Sequence, residues 1–273
     1  MVSASNPQRV LVTGATSGIG AEVARAMVAA GHRVYGTSRH PDSVADPIPG
    51  VTYVRLDNAD YASAVACAEQ VGALDILINN AGESQAGALE DTPIAAIEDL
   101  FRVNVFGPIA LTKAVLPGMR ERRHGTIILV GSMLSSFPVA FRSNYAATKS
   151  ALKAFAFAAR REVAPYGIRL ISVEPGTIAT GIGDRRSIYI DDDSAYRAEY
   201  ETFAAATRRN EEAGITAAAM AEVIVDAALA DHPKPFYAKG NSAGIVFALR
   251  RLLPRQFILD MTARKHGLPP VKA

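Results

Sequence analysis

The stretch VLVTGATSGIG, residues 10–20, decides the fold, because three glycines follow a run of β-branched residues. The run is typical of a buried strand, and the residues after the loop are typical of the start of a helix. Gly14, Gly18 and Gly20 allow a tight turn, and they let a diphosphate approach the free N–H groups of that helix. The loop therefore predicts a nucleotide site. Its residues are Gly14, Thr16, Ser17, Gly18, Ile19 and Gly20.

The end of the second predicted strand distinguishes NAD from NADP. Dinucleotide folds that use NAD carry an acidic residue about 20 residues after the loop, where it binds the ribose 2′-hydroxyl. No acidic residue occurs from Val23 to Pro41 in this chain, and the strand ends at Ser38 and Arg39. An arginine binds a 2′-phosphate through paired, charge-assisted hydrogen bonds. The sequence therefore favours NADP (NADPH) at Ser38 and Arg39, with NAD as the alternative cofactor.

Outside the loop, apolar runs alternate with alanine-rich segments of helical periodicity. Several runs are apolar at nearly every position, which is typical of strands buried on both faces of a parallel sheet. The alternation predicts an α/β fold: a Rossmann-like, doubly wound parallel sheet of about seven strands with helices on both faces. The predicted strands lie at 9–14, 32–38, 51–56, 74–79, 125–131, 168–176 and 234–240, and the predicted helices at about 18–30, 60–72, 93–122, 144–165 and 216–230.

Neither an internal repeat nor a low-complexity linker divides the chain, so residues 1–273 are predicted to form one dinucleotide-binding and catalytic domain. A charged, tyrosine-bearing segment at about 181–213 departs from the alternation. It would suit a flap over the substrate or a solvated helix without a function. The C-terminal extension at about 243–273 alternates apolar and basic residues. It could cover an apolar groove, contact a partner subunit or lie on a membrane surface, and we expect packing.

Composition and charge exclude several classes of protein. Hydrophobic residues make up 49% of the chain, which provides a core, and the net charge of +2 disfavours nucleic acid or an anionic membrane as the main partner. The single cysteine, Cys67, rules out an internal disulfide.

Neither a basic leader nor an apolar run of about 18 residues occurs, so we expect no transmembrane segment and a cytoplasmic location. The histidines are scattered without metal-ligand spacing, so no metal site is predicted.

Tyr145 and Lys149 are one helical turn apart in SNYAATKSALKAF, residues 143–155, so they share a helix face. Reduction of a carbonyl by hydride transfer places negative charge on its oxygen, which a positioned proton donor and a hydrogen bond stabilise. A free phenol has a pKa of about 10 and holds its proton too tightly to cycle near neutrality, whereas a neighbouring ammonium favours the phenolate. The pair therefore has the chemistry of a carbonyl reductase, with Tyr145 as the acid/base.

The glycine loop, NNAG at 79–82 and the Tyr145-x-x-x-Lys149 pair together resemble the short-chain dehydrogenase/reductase (SDR) family. The resemblance implies that Ser132, thirteen residues before the tyrosine, holds and polarises the substrate oxygen. It implies that Asn104 anchors a water that connects Lys149 to solvent, and that Lys149 also binds the nicotinamide ribose. The catalytic residues so implied are Ser132, Tyr145, Lys149 and Asn104.

The resemblance covers about residues 8–235 and assigns more of the cofactor site. Asp57 follows the third predicted strand and matches the acid that family members place against the adenine. NNAG would let the backbone approach the cofactor ribose, and the segment from Gly176 to Thr180 would surround the nicotinamide amide and the diphosphate. The further cofactor residues implied are Asp57, Asn58, Asn80, Ala81, Gly82, Pro175, Gly176, Ile178 and Thr180, together with Tyr145 and Lys149.

Residues after Ser132, residues after NNAG and the charged segment are expected to form the substrate walls. Most of them are apolar, which favours a mid-sized hydrophobic ketone or secondary alcohol. Glu83 and Gln85 could address a polar group at one end of the substrate, or face water. The expected contacts are Glu83, Gln85, Met133, Leu134, Phe137, Phe141, Ile182 and Tyr189.

The sequence as a whole favours an NADP(H)-dependent oxidoreductase that acts on CH–OH or C=O groups. One alternative is a non-catalytic NADP-binding sensor or scaffold, which would be expected to lose Tyr145 or Lys149. Another is an epimerase or dehydratase of the same family, although extended relatives with those activities usually have longer chains. The resemblance also implies a homodimer or homotetramer that binds a small-molecule substrate.

Overall fold

The computed structural model describes residues 6–179, 183 and 185–270. In chain order the strands are β1 (Arg9–Val12), β2 (Arg33–Ser38), β3 (Val51–Arg55), β4 (Ile76–Asn79), β5 (Gln85–Gly87), β6 (Gly125–Val130), β7 (Ile168–Pro175), β8 (Ile178–Ala179), β9 (Ser187–Tyr189), β10 (Ile215–Thr216) and β11 (Phe236–Lys239). The α-helices are α1 (Gly18–Ala29), α2 (Tyr61–Val71), α3 (Ile94–Phe101), α4 (Gly107–Arg122), α5 (Ser143–Val163), α6 (Arg197–Glu212), α7 (Ala217–Leu229), α8 (Ala243–Leu252) and α9 (Arg255–Lys265).

The centre of the molecule is a seven-stranded sheet with the strand order β11-β7-β6-β4-β1-β2-β3. Every neighbouring pair of strands in this sheet is parallel. The prediction of a doubly wound parallel sheet is confirmed, including the seventh strand predicted at 234–240, which is β11.

Helices cover both faces of the sheet because its strands carry apolar side chains in both directions. All residues of β4 and β6 are buried. On one face, Val12 belongs to a core cluster with Met27 of α1 and Ile224 of α7. On the other face, Leu11 belongs to a second cluster, which includes Leu111 of α4 and further residues of α2 and α5. Successive residues of β1 therefore belong to different cores.

The direction of winding reverses between β1 and β4, which are neighbours in the sheet. In open α/β sheets, ligands bind at such a switch point, outside the carboxyl ends of the strands. Thr13, which follows β1, connects the two strand ends, because its Oγ1 accepts hydrogen bonds from the N–H groups of Asn80 and Ala81 at 2.9 Å each. The glycine loop and NNAG are therefore held side by side.

The segments that the alternation does not assign contain regular structure. β9 pairs in parallel with β5, and α6 packs Phe203 against Phe141 in a separate hydrophobic cluster. In the C-terminal extension, Ile258 of α9 packs against Phe137, which follows β6. These elements therefore cover the region beyond the carboxyl ends of β6 and β7.

Within residues 6–179, 183 and 185–270, no helix is both long and apolar enough to cross a membrane.

Cys67 provides a test of core packing because it is the single cysteine of the chain and only 1% exposed. Burial raises the pKa of its thiol to about 11. At pH 8 the thiol is therefore almost entirely protonated, and the thiolate is the reactive form. We predict that iodoacetamide at pH 8 leaves Cys67 unmodified in the folded protein and alkylates it in guanidinium chloride, as measured by intact mass. Rapid alkylation of protein whose circular dichroism is unchanged would contradict this packing.

Candidate active site

A cavity of about 440 Å³ lies at the carboxyl ends of β4, β6 and β7, and Ile19 of α1 also lines it. Residues of α5, α6, α8 and α9 complete its wall. The residues predicted from the sequence that line it are Ile19, Asn80, Gly82, Glu83, Ser132, Met133, Leu134, Phe137, Tyr145, Lys149, Pro175, Gly176 and Ile178. The predicted cofactor residues Gly14, Thr16, Ser17, Gly18, Gly20, Ser38, Arg39, Asp57, Asn58 and Ala81 lie outside its wall, at or after the ends of β1 to β4.

The glycine loop is packed too closely for a side chain at position 20. A Cβ atom on Gly20 would lie 2.3 Å from the carbonyl oxygen of Gly14 and 2.5 Å from Nδ2 of Asn80. Gly14 itself has a φ of +66°, which favours glycine. α1 begins at Gly18 and has no acidic residue in its first turn. Its first N–H groups and its dipole therefore form a site suited to an anion.

Tyr145, Lys149 and Ser132 all line the cavity. Lys149 is 5% exposed, and its Nζ donates a hydrogen bond to the Val130 carbonyl at 3.1 Å. The same Nζ lies 5.7 Å from the centroid of the Tyr145 ring. Ser132 has an extended backbone after β6, and its Oγ accepts a hydrogen bond from the N–H of Leu134 at 3.2 Å. The fold therefore brings a phenol, an ammonium and a hydroxyl to one surface.

The segment that carries Ser132 is fixed by the buried carboxylate of Glu174 on β7. The hydroxyls of Ser135 and Ser136 donate hydrogen bonds to this carboxylate at 2.6 and 3.2 Å. Lys153 of α5 forms an ion pair with it at 2.8 Å, and the Glu174 side chain has 0% exposure. A buried carboxylate needs such partners. The network joins the segment that carries Ser132 to α5, which is the helix that carries Tyr145.

Asn104 lies in a π-helical turn, Arg102–Phe106, between α3 and α4. Its Oδ1 accepts a hydrogen bond from the N–H of Glu83 at 2.8 Å, and its Nδ2 donates to the Glu83 carbonyl at 2.9 Å and to Thr148 Oγ1 at 3.3 Å. Such turns are frequent at functional sites. Asn104 is buried outside the cavity wall. It connects the backbone after NNAG with α5.

The end of β2 presents an exposed arginine, Arg39. Ser38 Oγ accepts a hydrogen bond from the N–H of His40 at 3.1 Å. Arg39 is exposed and forms no ion pair with the residues that the structure describes. Asp57 follows β3, and its Oδ1 accepts a hydrogen bond from the N–H of Ala59 at 2.9 Å. The guanidinium of Arg39 is therefore available at the edge where the predicted nucleotide ends.

Three side chains that the sequence suggested for the substrate wall do not line the cavity. Gln85 is buried, and its side-chain amide is already hydrogen-bonded within the protein. The amide donates to the Ala96 carbonyl at 3.2 Å and accepts from Asn144 Nδ2 at 3.1 Å. Phe141 has a φ of +61° and packs in the cluster of α6. Tyr189 belongs to β9, which pairs with β5. Two further predicted residues, Thr180 and Ile182, lie outside the described residues.

Charged side chains that the sequence analysis does not assign also line the cavity. Arg142, directly before α5, is 7% exposed, and its Nη2 donates to Ser84 Oγ at 3.0 Å. Arg186 donates to the same oxygen through Nε at 3.2 Å and forms an ion pair with Glu211 of α6. Burial and the charge of Arg186 lower the pKa of Arg142 to about 10, so Arg142 remains a cation at neutral pH. Its spacing from Tyr145 is a signal that sequence reasoning could have used.

Met261 and Thr262 of α9 and His266, which directly follows this helix, also line the cavity. Burial lowers the pKa of His266 below its usual range, and its Nδ1 lies 2.9 Å from the Thr262 carbonyl oxygen. His266 is therefore mostly neutral at pH 7. No motif in the sequence indicates these residues, because α9 reaches the cavity through long-range packing.

Comparison with protein families gives a match over residues 8–188 to a family model described as short chain dehydrogenase. A curated relative, dehydrogenase/reductase SDR family member 7B of Xenopus laevis, is 31% identical over 93% of this chain and 81% of its own. Another, 3-ketodihydrosphingosine reductase of Bacteroides thetaiotaomicron, is 37% identical over 67% of this chain and 68% of its own. The solved closed form of a serine dehydrogenase complexed with NADP⁺ is 26% identical, with a TM-score of 0.71 over 86% of this chain and 95% of that chain.

Asn104 is predicted to stabilise the folded protein by joining the loop after β4 to α5. Asn104→Ala removes the hydrogen bonds to the N–H and C=O groups of Glu83 and to Thr148, and each such bond contributes about 0.5–1.5 kcal/mol. We predict that the free energy of unfolding falls by about 2 kcal/mol or more, as measured by urea unfolding. Asn58→Ala is the control, because Asn58 makes one weak amide contact, at 3.5 Å. An equal loss in the two variants would contradict the role of Asn104.

Proposed function

The chain belongs to the short-chain dehydrogenase/reductase family, and on this basis we propose that it is an NADP(H)-dependent enzyme that interconverts a ketone and a secondary alcohol. The observation that carries the proposal is the presence of Tyr145, Lys149 and Ser132 in the wall of one cavity, together with Ile19 from the glycine loop. A cavity of about 440 Å³ is of the size that encloses a small organic ligand.

The chain's own residues supply the proton and the polarisation that carbonyl reduction needs. Ser132 donates a hydrogen bond to the carbonyl oxygen and holds it beside Tyr145. The Tyr145 hydroxyl then gives its proton to that oxygen as the C–O bond becomes a single bond. The ammonium of Lys149 stabilises the phenolate that remains, since its Nζ lies 5.7 Å from the ring centroid. The alcohol oxidation uses the same groups in reverse.

The residues at the switch point fit a dinucleotide. When bound, NADPH supplies the hydride that adds to the carbonyl carbon. The start of α1 provides N–H groups for the diphosphate. The backbone is packed so closely at Gly20 that a side chain at this position would not fit. A Cβ atom at Gly82 would lie 3.5 Å from Lys149 Nζ and 2.9 Å from Asn104 Oδ1, so the absence of a side chain keeps this surface open for a ribose. Asp57 and Asn58 would contact the adenine side.

Arg39 would select NADP by binding its 2′-phosphate. The residue is exposed at the end of β2, and no acidic residue occurs from Val23 to Pro41 that would repel this phosphate. The serine dehydrogenase structure was solved with NADP⁺, which supports the same choice for this chain.

The apolar part of the cavity supports a hydrophobic substrate portion. Leu134, Phe137, Val246 and Met261 line it. The name of the ketodihydrosphingosine reductase relative is consistent with a ketone attached to an aliphatic chain. The segment at about 181–213 would act as a flap, since Arg186 and Glu211 reach the same cavity.

Association of the chain into a homodimer or homotetramer is also part of the proposal. Large apolar side chains are exposed on α2, on α3 and between α3 and α4: Tyr61 is 50% exposed, Ile94 70% and Phe106 48%. Burial of such side chains against a second copy would remove apolar surface from water, which favours association.

Tyr145→Phe tests the acid/base role. The Tyr145 hydroxyl makes no hydrogen bond to the described residues, so its removal should leave folding and NADPH affinity nearly unchanged. General acid catalysis contributes about 10²–10⁴-fold, so we predict that kcat for ketone reduction falls by at least 100-fold. NADPH fluorescence measures cofactor affinity, and Tyr189→Phe serves as a control outside the cavity. A variant at Tyr145 that keeps nearly the parental kcat would remove the assigned mechanism.

Arg39→Asp tests the choice of cofactor. Replacing a cation by an anion beside the 2′-phosphate should weaken NADPH at least about tenfold and leave NADH within a few-fold, because a charge-assisted hydrogen bond is worth about 1.5–3 kcal/mol. Dissociation constants of both cofactors are measured by fluorescence titration. Arg33→Asp makes the same charge change at the opposite end of β2 and should affect both cofactors equally. Equal losses of the two cofactors in Arg39→Asp would contradict the 2′-phosphate role.

A further inference from the structure

Part of the cavity wall is cationic and has no place in the proton transfer proposed above. Two guanidinium groups, of Arg142 and Arg186, donate hydrogen bonds to the single hydroxyl of Ser84. One carboxylate, that of Glu211, pairs with Arg186. Glu83 also lines the cavity but forms no ion pair with the described residues. The two guanidinium groups are therefore held close together, and among the described residues only one of them forms an ion pair.

Arg142 is the member of the pair that forms no ion pair with the residues that the structure describes. Its side chain lies in the cavity wall, the residue is 7% exposed, and no carboxylate of the described residues lies within ion-pair distance. Its Nε is buried and has no hydrogen-bond partner among those residues. A buried cation without a counter-ion is costly to keep, and a guanidinium binds a carboxylate through two parallel hydrogen bonds. A ligand with a carboxylate would supply the missing charge.

The position of Arg142 places such a carboxylate close to the reacting group. The guanidinium carbon of Arg142 lies 4.5 Å from the centroid of the Tyr145 ring. An anion bound to that guanidinium therefore lies beside the residue that donates the proton. The carbonyl and the anion would belong to the same small molecule and be separated by a few carbon atoms. The apolar side chains on the rest of the wall, such as Phe137 and Met261, would hold its remaining part.

Resting on the proposed reductase function, we propose that Arg142 and Arg186 bind a carboxylate of the substrate. The substrate is then an oxo acid, or the matching hydroxy acid, with an apolar tail. The two arginines set specificity, whereas Ser132, Tyr145 and Lys149 carry out the reaction on the carbonyl.

A comparison of acids with their esters tests this specificity. NADPH oxidation is measured with oxooctanoates that carry the carbonyl at different positions, and with the methyl ester of each acid. The best acid should exceed its ester by about tenfold or more in kcat/KM, because the ester keeps the carbon chain and loses the charge. In Arg142→Met, the ratio of kcat/KM for the acid to that for its ester should fall to about one, mainly because KM for the acid rises. Arg142→Lys should restore part of it, because the charge returns without the paired geometry.

Arg208→Met is the matched control, because Arg208 is an exposed arginine of α6 outside the cavity wall, and it should leave the acid-to-ester ratio unchanged. Equal kcat/KM values for acids and esters in the parental enzyme would overturn the inference while leaving the reductase function intact. A ratio that survives in Arg142→Met would overturn it as well.

A binding measurement separates this inference from the proposed function. Octanoate and octanol are titrated into the enzyme with NADP⁺ and followed by calorimetry. Octanoate should bind more tightly than octanol by about tenfold, and Arg142→Met should abolish the difference. If no ketone is reduced but this difference is found, the reductase function fails and the carboxylate site stands. If octanoate and octanol bind equally, the proposed carboxylate site is wrong, whether or not the enzyme reduces ketones.

Discussion

The buried ammonium of Lys149 is the constraint on which the rest of the site depends. An ammonium with 5% exposure needs acceptors, and the Val130 carbonyl at 3.1 Å is the acceptor among the described residues. This contact connects α5 to the end of β6, and the same ammonium lies 5.7 Å from the centroid of the Tyr145 ring. Gly82 leaves room near the ammonium, since a Cβ atom there would lie 3.5 Å from Nζ. The arrangement of Tyr145 and Lys149 is therefore set by the sheet and not only by their spacing on a helix.

The parts of the molecule that follow from local pattern could be predicted from the sequence. The strands at 125–130 and 168–175 are apolar at most positions, and the loop at 10–20 has glycines where the backbone must turn or approach a neighbour. These features are local, so periodicity and residue type are sufficient to find them. The parallel order of the strands then follows from the alternation with helices, because parallel strands need crossovers.

The parts that depend on contacts between distant segments could not be predicted. Phe141 was expected near the substrate from its position after Ser132, but a φ of +61° and the aromatic side chains of α6 direct it into a separate cluster. Glu211 and His266 reach the cavity through α6 and the end of α9. The sequence indicated that the segments at about 181–213 and 243–273 could cover a site, but it did not indicate which of their residues would do so. Arg142 lies between these two cases, because only part of its role follows from local sequence. Its spacing from Tyr145 is visible in the sequence, but its burial and the absence of an ion pair with the part of the chain that the structure describes are not. The cavity therefore has a cationic side that a reading of its apolar residues alone did not anticipate.

The central claim is that this chain moves a hydride to a carbonyl with Tyr145 as the proton donor. The most direct measurement uses NADPH deuterated at C4 of the nicotinamide, in separate preparations of the two stereoisomers, with simple ketones and oxo acids as acceptors. Mass spectrometry then locates the deuterium in the product. We predict that one of the two preparations gives an alcohol with a single deuterium on the carbinol carbon. An alcohol without deuterium from either preparation, or a substrate isomerised without net oxidation of NADPH, would contradict this function.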